Sequence, residues 1–180
     1  VYLSGGKMFV PDKECVFPEI NLNDGIIHAP EAVVSVGSAP VKVYSSGALV
    51  ADSNHISGAR LVTGGNDLMV VSSGGTATNT IVDNYCSMYI SSGGSANGAT
   101  VYYMGQLYVD NGAKLDNGTI RFGKTYISSG GLANNTVVSH GGLVFVSSGG
   151  KMETAAVSSG GWIHLYYGGF ANNATVNGTR

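Results

Sequence analysis

Ser72-Ser73-Gly74-Gly75 recurs as Ser91-Ser92-Gly93-Gly94, Ser128-Ser129-Gly130-Gly131 and Ser147-Ser148-Gly149-Gly150. Two further copies are altered, to Asp110-Asn111-Gly112-Ala113 and Tyr166-Tyr167-Gly168-Gly169. The starts at Ser72, Ser91, Asp110, Ser128, Ser147 and Tyr166 are evenly spaced, except that the interval from Asp110 to Ser128 is shorter by one. A unit of this length, about 19 residues, cannot bury a core of its own; it must stack on its neighbours and share one. A second glycine-marked turn follows the first within the unit, as Ser139-His140-Gly141-Gly142 and Ser158-Ser159-Gly160-Gly161. Each unit therefore divides into a longer and a shorter part with a corner after each, where glycine accepts the positive φ that a sharp corner needs.

Aligning the units on this motif gives columns. The residue before each Ser-Ser position is Val71, Ile90, Val109, Ile127, Val146 or Leu165, and two residues earlier stand Met69, Met88, Leu107, Thr125, Val144 and Ile163. Between them run Val70, Tyr89, Tyr108, Tyr126, Phe145 and His164. Alternation with period two is a strand signature, so the first two columns face inward and the aromatic one outward. The longer part has two more apolar columns: Ala77, Ala96, Leu115, Ala133, Met152, Ala171, and Val82, Val101, Ile120, Val138, Val157, Val176. Between these lies a column with Asn79, Asn117, Asn135 and Asn173, read as a structural ladder of stacked amides. Helix is excluded by the lack of a 3.6-residue period and by the glycine pairs. The pattern predicts an all-β fold: a single-stranded parallel β-helix, or β-solenoid, with about 19 residues per coil. At least two corners per coil are expected, which leaves two or three strands per coil open.

Residues 67–180 carry the regular repeat, whereas 1–66 fit it poorly. Ser4-Gly5-Gly6-Lys7-Met8 and Val43-Tyr44-Ser45-Ser46-Gly47-Ala48 still echo it. Positions 1–66 are expected to form irregular coils and a cap continuous with the repeats, since terminal units of solenoids are atypical. The chain opens at Val1 without an initiator Met, as a mature protein or an excised piece does.

Composition removes several function classes. Charged residues make up 11% and the net charge is −2, so the basic footprint of a nucleic-acid binder is missing. No apolar run is long enough for a membrane span. Two cysteines, Cys15 and Cys86, form neither a disulfide framework nor a zinc site, and the four histidines show no ligand spacing, so no metal and no cofactor is expected. The acids are scattered; Asp116 and Glu153 share a column but stand two units apart with Asn134 between, about 10 Å at strand spacing. No catalytic residue is therefore assigned. The exposed aromatic column of Tyr89, Tyr108, Tyr126 and Phe145, with Trp162 beside it, is the candidate binding surface. Its alternative role is a ladder that stabilises the sheet through cross-strand contact.

The units Val71-Ser72-Ser73-Gly74-Gly75-Thr76-Ala77-Thr78-Asn79-Thr80 and Ile127-Ser128-Ser129-Gly130-Gly131-Leu132-Ala133-Asn134-Asn135-Thr136 resemble the repeats of AIDA-type autotransporter adhesins. The resemblance covers about residues 68 to 180 well and the earlier ones faintly. It implies a right-handed β-helical passenger, displayed outside the cell or on the bacterial outer membrane, that works in adhesion, self-association or biofilm formation. Implied partners are surface glycans or proteins, further copies of itself, and a glycosyltransferase that modifies repeat serines. By position, the serines so implied are Ser72, Ser73, Ser91, Ser92, Ser128, Ser129, Ser147, Ser148, Ser158 and Ser159. The expected function is a non-enzymatic adhesin passenger. The alternatives are a solenoid of another secreted protein, such as a phage fibre or effector, and, behind these, a β-helical polysaccharide lyase or glycosidase.

Overall fold

In the computed structural model the described residues are 56–61, 68–72 and 74–177, with the backbone of the strands that lie before them and the Met8 side chain. The fold is an all-β parallel solenoid, and the described residues include no helix. A regular coil has three short strands, of which the second and third run together as Leu132–Ser139 and Lys151–Ser158 in two later coils. In one coil these are Ser87–Ile90, Ser95–Asn97 and Thr100–Val101; in the next they are Gln106–Val109, Lys114–Asp116 and Thr119–Arg121. The first strands of successive coils form a nine-stranded parallel sheet, and the second and third strands form a seventeen-stranded one. Cα register follows the sequence columns: Met69 pairs with Met88, Met88 with Leu107, Leu107 with Thr125, Thr125 with Val144 and Val144 with Ile163. Further down the same sheet Met8 pairs with Ile27, Ile27 with Leu49 and Leu49 with Met69. The first of these steps matches the repeat and the other two are longer.

The interior consists of these columns. Met69, Met88, Leu107 and Val144 are fully buried, as are Val71, Ile90, Val109, Ile127 and Val146 on the same strands. Facing them, Leu61, Val82, Val101, Ile120 and Val138 close the third side. The middle strand contributes a small-residue column, Ala77, Ala96, Leu115, Ala133 and Met152, all buried. Leu115 and Met152 are the large members among alanines, and beside Leu115 it is Gly118, further along the strand, that supplies the room: a Cβ there would lie 3.0 Å from Leu115 Cδ2. The other coils place Thr80, Ala99, Thr136 and Ala155 at that second position, so bulk at one site is offset by its lack at the other. In the last described coil the same columns lie open, with Leu165 51% and Val176 71% exposed, beside a hollow of about 480 Å³ lined by Trp162, Ile163, Leu165 and Val176.

There are three corners per coil. The Ser-Ser-Gly-Gly corner is a β-turn closed by bonds such as Gly94 N–H to Ser91 O (2.8 Å) and Gly131 N–H to Ser128 O (2.9 Å), with φ of 78° at Gly93 and 77° at Gly130. A positive φ at the third turn position is the type II requirement. The second glycine is held by close approach: a Cβ at Gly94 would lie 2.3 Å from the Val71 carbonyl oxygen. The second corner is a single left-handed residue, Asn79 (52°), Gly98 (73°), Asn117 (53°), Asn135 (50°), Thr154 (55°) or Asn173 (50°). Asparagine tolerates that region better than other side chains, which gives this column its composition. The third corner returns the chain to the first sheet. It contains the deletion behind the one short interval of the repeat: Arg121-Phe122-Gly123 stands where the previous coil has Tyr102-Tyr103-Met104-Gly105.

Register also separates the two cysteines. Cys15 pairs with Val34, Val34 with Ile56 and Ile56 with Ala77, three coil steps or about 14 Å. Cys86 lies beyond Ala77 on a different side of the coil and is buried; the Cys15 side chain lies outside the described residues.

Candidate binding surface

The outward column of the first sheet is a continuous stack of rings. Tyr89 and Tyr108 lie 4.5 Å apart at 5°, Tyr108 and Tyr126 5.0 Å at 12°, Tyr126 and Phe145 5.1 Å at 13°, and Phe145 and His164 5.1 Å at 16°. The rings follow the coil spacing, since side chains in register on neighbouring parallel strands are held about 4.8 Å apart. All but His164 are half-buried. The Tyr108 hydroxyl donates to Gln106 Oε1 at 2.5 Å. Burial raises the Tyr108 phenol above its ordinary 10.0, and Tyr89 and Tyr126 raise it further. Trp162, in the flanking column beside Leu143, is exposed, with its ring 6.3 Å from His164 at 16°.

The repeat serines line the first corner. Ser92, Ser129, Ser147, Ser148 and Ser159 are exposed, whereas Ser72, Ser91, Ser128 and Ser158 are half-buried. Ser73 lies outside the described residues. In most units the first serine supplies the carbonyl that closes the turn and the second projects from its tip. Ser128 Oγ also donates to Asp110 Oδ1 at 3.4 Å. Asn79, Asn117, Asn135 and Asn173 are exposed. Asn117 Nδ2 donates to Asn97 Oδ1 at 2.8 Å, a bond to the neighbouring column rather than up its own. Asp116 and Glu153 sit in one register line with Asn134 between, and Asn134 Nδ2 donates to Asp116 Oδ1 at 3.4 Å. Among the described residues no three acids, histidines or cysteines gather as a metal site would require.

One cluster is not anticipated by the aligned columns. At the third corner Tyr102 and Tyr103 meet edge to face at 4.5 Å and 89°, and Phe122 lies 5.9 Å from Tyr102 and 6.1 Å from Tyr103. His140 continues the line 6.2 Å from Phe122, and the Arg121 guanidinium lies 5.9 Å from the centre of the Tyr102 ring. Only two units mark this corner with a Gly-Gly pair, so the motif that aligns the rest of the chain does not align these residues. Counting back from the Met69 column would have brought them together.

No protein-family profile matches the chain. No curated protein matches it either. Among solved structures it is similar to one described as the "TibC-catalyzed hyper-glycosylated TibA55-350 fragment", at a TM-score of 0.53 and 22% identity, over 98% of this chain and 86% of that one. At that identity the likeness bears on the fold: both chains wind as β-solenoids.

Proposed function

We propose that this chain is a surface-exposed, non-enzymatic passenger segment of an adhesin, which acts by presenting a repeated surface for adhesion, self-association or glycan contact. The observation that carries the reading is the in-register stack itself. It repeats outward rings, Tyr89, Tyr108, Tyr126, Phe145 and His164, at coil spacing, an arrangement that turns weak single contacts into useful avidity. Two further points support it: the Ser-Gly-Gly units resemble those of AIDA-type adhesins, and the similar solved structure is described as a hyper-glycosylated fragment. In the same reading, residues 1–66 are irregular first coils and a cap, continuous with the repeats of 67–180.

The serines at the turn tips, Ser92, Ser129, Ser148 and Ser159, are the best placed acceptors for a sugar-transferring partner, because they are exposed and their backbone is already fixed by the turn. The aromatic column and Trp162 supply apolar surface beside them.

The test is display. Fused to a surface anchor on non-adherent bacteria, the chain should make cells settle together or bind glycan-bearing surfaces, and the purified protein should leave polysaccharides intact. Cells that neither aggregate nor adhere, or reproducible polysaccharide cleavage by the pure protein, would overturn the reading. Intact mass from the producing cell checks the serines: added multiples of a sugar mass are expected, and an unmodified mass removes the glycosylation.

A further inference from the structure

We propose that the third corner, at Tyr85, Tyr103, Met104 and Phe122 with Arg121 beside them, is a binding site for acidic glycans, meaning oligosaccharides that carry a carboxylate-bearing sugar. This rests on the adhesin reading and names where and what the chain binds.

In the outward column each ring lies parallel to its neighbours at 4.5 to 5.1 Å, so the faces are used up by one another and mainly edges remain. A sugar packs its apolar C–H face against an aromatic face, and so needs one that is open. At the corner Tyr103 and Phe122 also lie within 25° of parallel but further apart, at 6.1 Å, and Tyr85 is 59%, Tyr103 56% and Phe122 44% exposed.

The turn Tyr102-Tyr103-Met104-Gly105 is closed by Gly105 N–H to Tyr102 O at 2.8 Å, with φ of 36° at Tyr103 and 64° at Met104. Positive φ at both central positions is the type I′ pattern, which favours Asn and Gly. Tyr85 (65°) and Phe122 (54°) also sit in the left-handed region. Bulky residues there cost on the order of 1 to 3 kcal/mol each. The chain has a less strained solution at the same corner elsewhere, since His140-Gly141 and Ser159-Gly160 turn it with glycine at the following position. Three adjacent coils thus hold large apolar side chains outward against local preference, and such outliers cluster at ligand sites.

Among the described residues Arg60 is paired with Asp83 at 3.5 Å, whereas Arg121 makes no ion pair and sits half-buried beside Tyr102. Its Nε is buried without a hydrogen-bond partner. An apolar protein partner would bury that guanidinium without compensation, which is costly. A sugar carboxylate would pair with it, in the planar two-point geometry that arginine favours.

The probe is an array of matched sialylated, uronate-bearing and neutral oligosaccharides, read with the whole 180-residue chain. The expected result is binding to the acidic members. Tyr103→Asn/Met104→Gly and Phe122→Asn should weaken it at least tenfold while melting at the same temperature or higher, because Asn and Gly suit these turns. Arg121→Gln should remove the preference for acidic over neutral members. Val146→Ala, in the buried column beside the first corner, should lower the melting temperature and leave the binding of folded protein unchanged. The inference is overturned if no acidic glycan binds, if the corner variants bind like the parent, or if they lose self-association in place of glycan binding. If displayed chains with the corner variants still make cells adhere fully, the adhesin reading stands and this site falls.

Discussion

Thr125 stands in a column otherwise made of Met69, Met88, Leu107 and Val144, and it is fully buried. Its hydroxyl has no hydrogen-bond partner. A buried polar group left unpaired costs on the order of 1 to 3 kcal/mol, and an isosteric apolar replacement avoids that cost without opening a cavity. Thr125→Val is therefore expected to stabilise the chain by about 1 kcal/mol, read as a higher denaturant midpoint with unchanged slope. The sequence already marks this position as the odd member of an apolar column. That the hydroxyl finds no partner depends on which carbonyls the neighbouring coils have already engaged, and single-chain pattern carries no such information.

At the scale of the element, the first sheet is held outside by its ring stack and inside by its aliphatic columns. Aromatic pairs of this kind contribute about 0.5 to 1.5 kcal/mol beyond the area they bury. The stack also gives the fold an alkaline limit. An unfolded tyrosine ionises near 10.0, whereas folded Tyr108 ionises higher, mainly through burial and then through Tyr89 and Tyr126. Its contribution is fully present below pH 10 and is lost as pH rises through the folded value, since the unfolded chain releases its proton first. Tyr108→Phe should flatten the decline of melting temperature above pH 10; an unchanged decline would place the alkaline sensitivity elsewhere.

The strands themselves were legible in the sequence because the period-two alternation of Met88, Tyr89 and Ile90 has one physical meaning. The corners were legible only where glycine marks them. Asn79, Asn117, Asn135 and Asn173 stand out by type, but the sequence suggests stacked amides, whereas the structure shows a shared left-handed backbone and exposed side chains. The corner with Tyr103, Met104 and Phe122 was hidden for the opposite reason: these residue types are disfavoured in such turns, so propensity points away from a turn there. Local rules fail at that corner, which is the kind of place where a fold gives up local preference for another purpose.

For the whole molecule, stability follows from stacking, so it should behave as a sum over coils and the contacts between them. The columns keep register across the short interval as well as the regular ones, because the missing residue comes out of a corner and leaves the strands whole. The strand pairings also hold across the longer steps between Ile27, Leu49 and Met69. On the proposed reading, fold and mode of action are joined: stacked coils can present many copies of one surface, and their number can change without loss of the core.

The most direct test is removal of one coil. Deleting residues 87–105 joins Cys86 to Gln106, which occupies the register position of Ser87. The shortened chain should keep a strand-rich circular dichroism spectrum and a single cooperative melt, at a lower temperature, with the rod shorter by about 4.8 Å. Loss of β-structure, or a melt unchanged in temperature, would contradict the stacked-coil account.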